Sequence, residues 1–137
     1  MKRLNCILFH DIYTNDPAES GFNGPGAEHY KLPVTEFERH LRGLQQVLDG
    51  PPVLITASGT DTITGQVPFA ITVDDGGISY YTNVAARLEA MNWRGHCFVT
   101  TDRIGRPGFL TKQHIQELHA RGHVIGSHSV SHPRRFS

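Results

Sequence analysis

The sequence has no net charge: thirteen basic and thirteen acidic side chains cancel over 137 residues, with an isoelectric point of about 7.1. A neutral chain has no electrostatic footprint for DNA, RNA or an anionic membrane, so nucleic acid is not an expected partner. No apolar run comes near the roughly 18 residues that a membrane-spanning helix needs, so no membrane span is expected. The apolar stretch behind Met1-Lys2-Arg3 is interrupted by Asn5 and stops at His10. That is too short for a secretion signal, and the expected location is cytoplasmic. Only two cysteines, Cys6 and Cys97, are present, which excludes a disulfide framework. Both lie in apolar runs and read as buried strand residues. Charged residues are few, at 19 %, and apolar residues reach 38 %, which argues against a disordered or coiled-coil chain and for a packed core. One domain over residues 1–137 is the expectation.

Histidine, in contrast, is abundant, with nine residues, and glycine and proline number 14 and 8. Many turns follow from the last two. The histidines suit metal or proton chemistry, but composition alone does not choose between that and accident. Residues 13–31 hold no apolar period and form a loop of a length that is usually functional or disordered. Phe37, Leu41, Leu44 and Leu48 make one apolar stripe, so a helix is expected over 34–48, with Thr35 and Glu38 as a capping box and Gly50-Pro51-Pro52 as its end. Short apolar runs over 53–56, 68–73, 96–101 and 124–125 read as strands. Between the last three, 80–92 and 111–121 read as helices, the second ending at Gly122. Strands alternating with helices define an α/β chain with parallel strands and helical crossovers, either an open sheet or a partial (β/α) barrel.

Parallel α/β sheets place ligands at the carboxyl ends of their strands. Two polar clusters lie there. Asp74-Asp75 ends the strand over 68–73, and His128 and His132 follow the strand over 124–125. Asp-Gly is a common turn dipeptide, so Asp74-Asp75-Gly76-Gly77 reads first as a turn. Two adjacent carboxylates ending a buried strand nevertheless repel, unless a cation shares the site. Histidines at i and i+4 face one way on a helical turn, a spacing that recurs in zinc sites, although such a pair is often mere surface. Two histidines and an aspartate with an open position are a catalytic zinc set, and other divalent ions suit the same donors. His10, at the end of the first strand, could face the same rim. Tyr80-Tyr81 reads as a helix start with one ring packed inward, or as the wall of a sugar groove. Trp93 reads as a core lid, and Arg134-Arg135 as a solvated pair.

Ile71-Thr72-Val73-Asp74-Asp75-Gly76 resembles the first signature of the polysaccharide deacetylases (carbohydrate esterase family 4, the NodB-homology domain), with Val73 where an aromatic is usual. His128-Ser129-Val130-Ser131-His132-Pro133 is similar to the second. The lead-in over 118–126, the Leu8-Phe9-His10 strand and the Phe37–Leu41 helix are also similar to the family. The resemblance implies a partial (β/α) barrel of the polysaccharide deacetylase type, with its carboxy-terminal strands missing. It implies Asp74 as catalytic base, Asp75, His128 and His132 as ligands of a divalent metal (zinc by default), and a hydrolase that removes acetyl groups from N- or O-acetylated sugars or polysaccharides. The family's later arginine segment, aromatic groove wall and late histidine acid have no counterpart before Ser137. The chain is therefore expected to be truncated and weakly active or inactive. The alternatives are a non-catalytic metal- or carbohydrate-binding relic of the fold and an amidase on a non-sugar substrate. Open strand edges also predict self-association. A cooperative unfolding transition of a monomer in light scattering would count against that.

Overall fold

The computed structural model describes residues 3–60 and 62–134. Met1, Lys2, Asp61 and residues 135–137 lie outside them, and with them part of the basic start and Arg135 of the terminal arginine pair. In chain order the elements are β1 (Asn5–Phe9), β2 (Ile12–Tyr13), a 3-10 turn (Pro17–Glu19), α1 (Pro25–Glu28), β3 (Leu32–Pro33), α2 (Val34–Val47), β4 (Ile55–Thr56) and β5 (Gly59–Thr60). β6 (Phe69–Val73), a π-helical turn (Tyr80–Val84), α3 (Ala85–Ala90), β7 (His96–Val99), a second 3-10 turn (Thr101–Arg103), α4 (Lys112–Ala120) and β8 (Val124–Ser127) follow. β1, β6, β7 and β8 form one sheet in the order β1-β6-β7-β8, parallel throughout. This is the expected α/β chain of parallel strands and helical crossovers, a partial (β/α) barrel. No helix among the described residues is long and apolar enough to cross a membrane.

Alternation along the strands sorts the two faces. Phe9, Phe69, Ile71, Val73, Cys97 and Val99 pack on the helices, against Phe37 and Leu41 of α2, Val84 and Leu88, and Leu118 of α4. The offset residues Cys6, Leu8, Ala70, Thr72, His96 and Phe98 face the other way, towards a cavity of about 590 Å³ beside Ile55. All five residues of β6 are buried, as its apolar run suggests, because it has a neighbour on each side. Among the described residues β1 has only one, and Cys6 is exposed rather than buried. It shares the open face with Leu8, which is 52 % exposed. Cys97 is buried as expected, and burial pushes its thiol far up.

Thr35 and Glu38 do not form the expected capping box. The helix already starts at Val34 behind Pro33, whose φ of −66° suits helix entry, and no side chain caps it. Glu38 instead accepts from Arg87 Nε at 2.8 Å, tying α2 to α3. The helix expected over 80–92 opens with the wider π turn. From it Tyr80 reaches inward to His123 Nδ1 at 2.8 Å, and Tyr81 donates to Glu117 at 2.6 Å. α4 carries a box of its own: Thr111 Oγ1 accepts from His114 N, and Thr111 N donates to His114 Nδ1, both at 3.2 Å. Gly122 follows α4 at φ +94°, the left-handed position that favours glycine. Buried His123 accepts from Gly95 N on Nδ1 and bonds Glu89 through Nε2, and its burial holds the imidazole below its ordinary range.

The segment over 13–31 is folded. Glu19 accepts the backbone N–H groups of Thr14, Asn15 and Asp16. Buried Lys31 donates to Pro17 O, Ser20 O and Asn23 Oδ1 at 2.6, 2.7 and 3.4 Å.

Candidate metal centre

The site begins where β6 ends. Asp74 N donates to Phe9 O, extending the β1–β6 ladder by one residue. The chain then turns sharply through Asp75 and Gly76, both at φ +77°. Aspartate tolerates this region better than most side chains. Gly76 could not carry a side chain, since a Cβ there would stand 2.9 Å from Val99 Cγ1. The turn buries Asp75 and aims its carboxylate along the rim.

The second half follows β8. His128 N donates to Val99 O at 2.8 Å, so His128 is held against β7. The residues after it are not helical, contrary to the helical turn expected from the i, i+4 spacing. Ser129 and His132 take φ +65° and +52°, and the Ser129 hydroxyl accepts from His132 N at 2.9 Å. A serine side chain that bonds the nearby backbone competes with helix in this way. The loop is docked by Thr101 N on Ser129 O and Asp102 N on Val130 O. It still brings both imidazoles to Asp75.

One ligand atom each from Asp75, His128 and His132 lie within 4.8 Å of one another. Asp75 Oδ1 is 3.5 Å from His128 Nε2 and 3.4 Å from His132 Nε2, beyond hydrogen-bond range. Metal–ligand bonds of about 2.0–2.2 Å at a tetrahedral angle put two donors about 3.3–3.6 Å apart, so the spacing fits a small divalent ion. Asp75 Oδ1 is also buried and has no hydrogen-bond partner. A buried anionic oxygen without a donor is costly, and a cation removes the cost. Asp74 lies alongside, half-buried, with Oδ2 3.8 Å from His128 Nδ1. Burial pushes its carboxyl above the ordinary range, and His128 and His10 pull it back.

Asp11 and Phe22 join the site although neither was among the candidates in the sequence. Asp11 is buried behind the site, and its Oδ1 accepts from Ser20 Oγ at 2.6 Å and Ser79 Oγ at 2.9 Å. Burial raises its pKa, while the two hydroxyls and Lys31 oppose the rise. Phe22 lies on His132, with ring centroids 4.9 Å apart. His10 does reach the rim, in a cavity with Asp75 and His132. The tyrosine pair does not line that cavity, since Tyr80 is buried and Tyr81 stacks on His114. Trp93 is buried against Phe69, in keeping with a core residue.

The family profile of the polysaccharide deacetylases matches residues 62–137, which hold both signatures, and the chain belongs to that family. Solved structures share the fold. The Streptococcus pyogenes deacetylase PplD, in complex with acetate, superposes with a TM-score of 0.71 at 18 % identity, over 95 % of this chain and 57 % of its own. IcaB from Ammonifex degensii gives 0.66 at 22 %, over 95 % and 54 %. The putative polysaccharide deacetylase BA0330 from Bacillus anthracis gives 0.71 at 19 %, over 95 % and 40 %. The chain thus spans about half the length of these structures. No curated protein matches it.

Proposed function

We propose that the chain carries the metal-binding part of a hydrolase that removes acetyl groups from N- or O-acetylated sugars. The observation that carries this reading is the orphaned, buried Asp75 Oδ1 facing two imidazole nitrogens. Asp75, His128 and His132 would hold a divalent ion, with zinc the default for two nitrogens and one oxygen. A bound ion of this kind supplies Lewis acidity towards the acetyl carbonyl and towards water. Asp74 is the base: it stands beside the three-donor cluster without belonging to it, half-buried with Oδ2 3.8 Å from His128 Nδ1, where it can take a proton from the attacking water. Hydrolysis consumes one water and yields acetate and a free amine or hydroxyl. The structure of PplD with acetate agrees with that chemistry for a protein of the same fold.

The test is Asp74→Asn in the zinc-loaded chain, with acetate release from a β-linked N-acetylglucosamine tetrasaccharide followed by NMR. The expected result is a loss of roughly 100-fold or more, the usual scale for a general base, with zinc content unchanged. Full activity in the variant would remove Asp74 from the mechanism. A zinc-loaded parent chain that neither releases acetate nor binds the tetrasaccharide would overturn the enzyme reading and favour a non-catalytic metal-binding module.

A further inference from the structure

His132 lies on an exposed loop, its side chain is 44 % exposed and its backbone takes the left-handed φ of +52°. A metal-bound imidazole is as a rule oriented by a hydrogen bond from its second ring nitrogen. Among the described residues His132 bonds only through its backbone N, to the Ser129 hydroxyl, and its ring makes no hydrogen bond. Two other rings flank it instead. The His128 centroid is 5.2 Å away at an interplanar angle of 41°, and the Phe22 centroid is 4.9 Å away at 35°.

Phe22 is itself held from behind. Its ring meets Phe109 edge to face at 5.1 Å, and the Arg103 guanidinium carbon stands 5.3 Å from its centroid. Just before it, Gly21 N donates to Gly108 O at 2.8 Å, and Ser20 is tied to Asp11 and Lys31. The apolar core does not include Phe22. Phe22 and Tyr30 both line the cavity of about 410 Å³ that holds Asp75 and His132, but Tyr30 lies over His10, 5.0 Å away. Phe22 is thus the ring of the 13–31 segment that packs on a donor. A fixed flat face beside an imidazole removes the rotamers that would swing it out to water.

We propose that Phe22 is a positioning residue for the metal: its ring fixes the His132 imidazole with Nε2 towards Asp75, in place of the missing hydrogen bond. The inference rests on the metal-site reading above and gives the 13–31 segment a part in metal affinity.

The test measures zinc affinity by competition with a chromophoric chelator for the parent chain, Phe22→Leu and Phe22→Tyr. The His128 and His132 ring signals are followed by NMR without metal. Leucine keeps apolar bulk on Phe109 and removes the flat face, and tyrosine keeps the face. Aromatic contacts of this size correspond to roughly 2- to 12-fold in an equilibrium constant. Phe22→Leu is expected to weaken zinc binding by about that factor and to move the His132 ring signal more than that of His128. Phe22→Tyr is expected to keep the parent affinity. Parent affinity in Phe22→Leu, or an equal loss in Phe22→Tyr, would overturn the positioning role alone. So would a loss in Phe22→Leu with an unmoved His132 signal, since leucine would then act through the fold. A parent chain that binds no zinc would overturn the metal reading and this role with it.

Discussion

The purified chain is expected to bind one zinc ion, and Asp75→Asn and His128→Ala are each expected to lose it. Equilibrium dialysis with metal analysis reads this directly. Loss of an outer-shell partner costs roughly 10- to 100-fold in metal affinity, and loss of a ligand should exceed that. Asp75 is the one anionic donor in the cluster, so its removal takes the charge that draws a dication from water. The fold should survive, because Asp75 Oδ1 has no hydrogen bond to lose. Asparagine is the better substitute at this position, since it tolerates the φ of +77° that alanine resists. His128→Ala tests the other motif. Retention of stoichiometric zinc by both variants would show that the two signatures do not form one site.

Gly77→Ala is expected to cost about 3 kcal/mol or more of stability, from overpacking and broken buried hydrogen bonds together. A Cβ on Gly77 would run into Asp11 Oδ1 and stand 2.6 Å from Ser20 Oγ. Those atoms are the node that joins three segments. Ser20 Oγ and Ser79 Oγ donate to Asp11, Ser79 N donates to Ser20 Oγ at 2.8 Å, and Ile12 N donates to Ser79 Oγ at 3.1 Å. The methyl group cannot fit without expelling the carboxylate, and the hydroxyls behind it then lack their acceptor. Thermal unfolding checks the result, with a fall on the order of 10 °C expected for a chain of this size. Gly43→Ala is the control. Gly43 sits in α2 with nothing within 4 Å of an added Cβ, so alanine there should stabilise by roughly 0.5–1 kcal/mol. Equal melting temperatures for Gly77→Ala and the parent would refute the steric account.

Both halves of the Asp75, His128 and His132 cluster were legible in the sequence because each follows an apolar strand, and strand ends in a parallel sheet share a rim. The histidine pair was found through a helical spacing that the chain does not use. Two left-handed residues, Ser129 and His132, and the bond from His132 N to the Ser129 hydroxyl do the work of the expected helical turn. Asp11 was missed although its signal was present: Phe9-His10-Asp11 ends an apolar strand in two polar residues, as Val73-Asp74-Asp75 does. Phe22 and Tyr30 had no local signal, since only the folding of 13–31 across the rim brings them to the site. Cys6 was misread because an apolar run does not reveal how many neighbours its strand has. Among the described residues β1 has one, and Cys6 and Leu8 on the face opposite the helices are exposed.

Two of the three donors hang from the loop behind β8, a strand bonded on one side only among the described residues, while the third is set at the end of the central β6. A cation bridging them would clasp the margin of the sheet to its middle. Occupancy and fraying then become one equilibrium. By mass action, each tenfold rise in free ion above the dissociation constant adds about 1.4 kcal/mol to the cohesion of that margin.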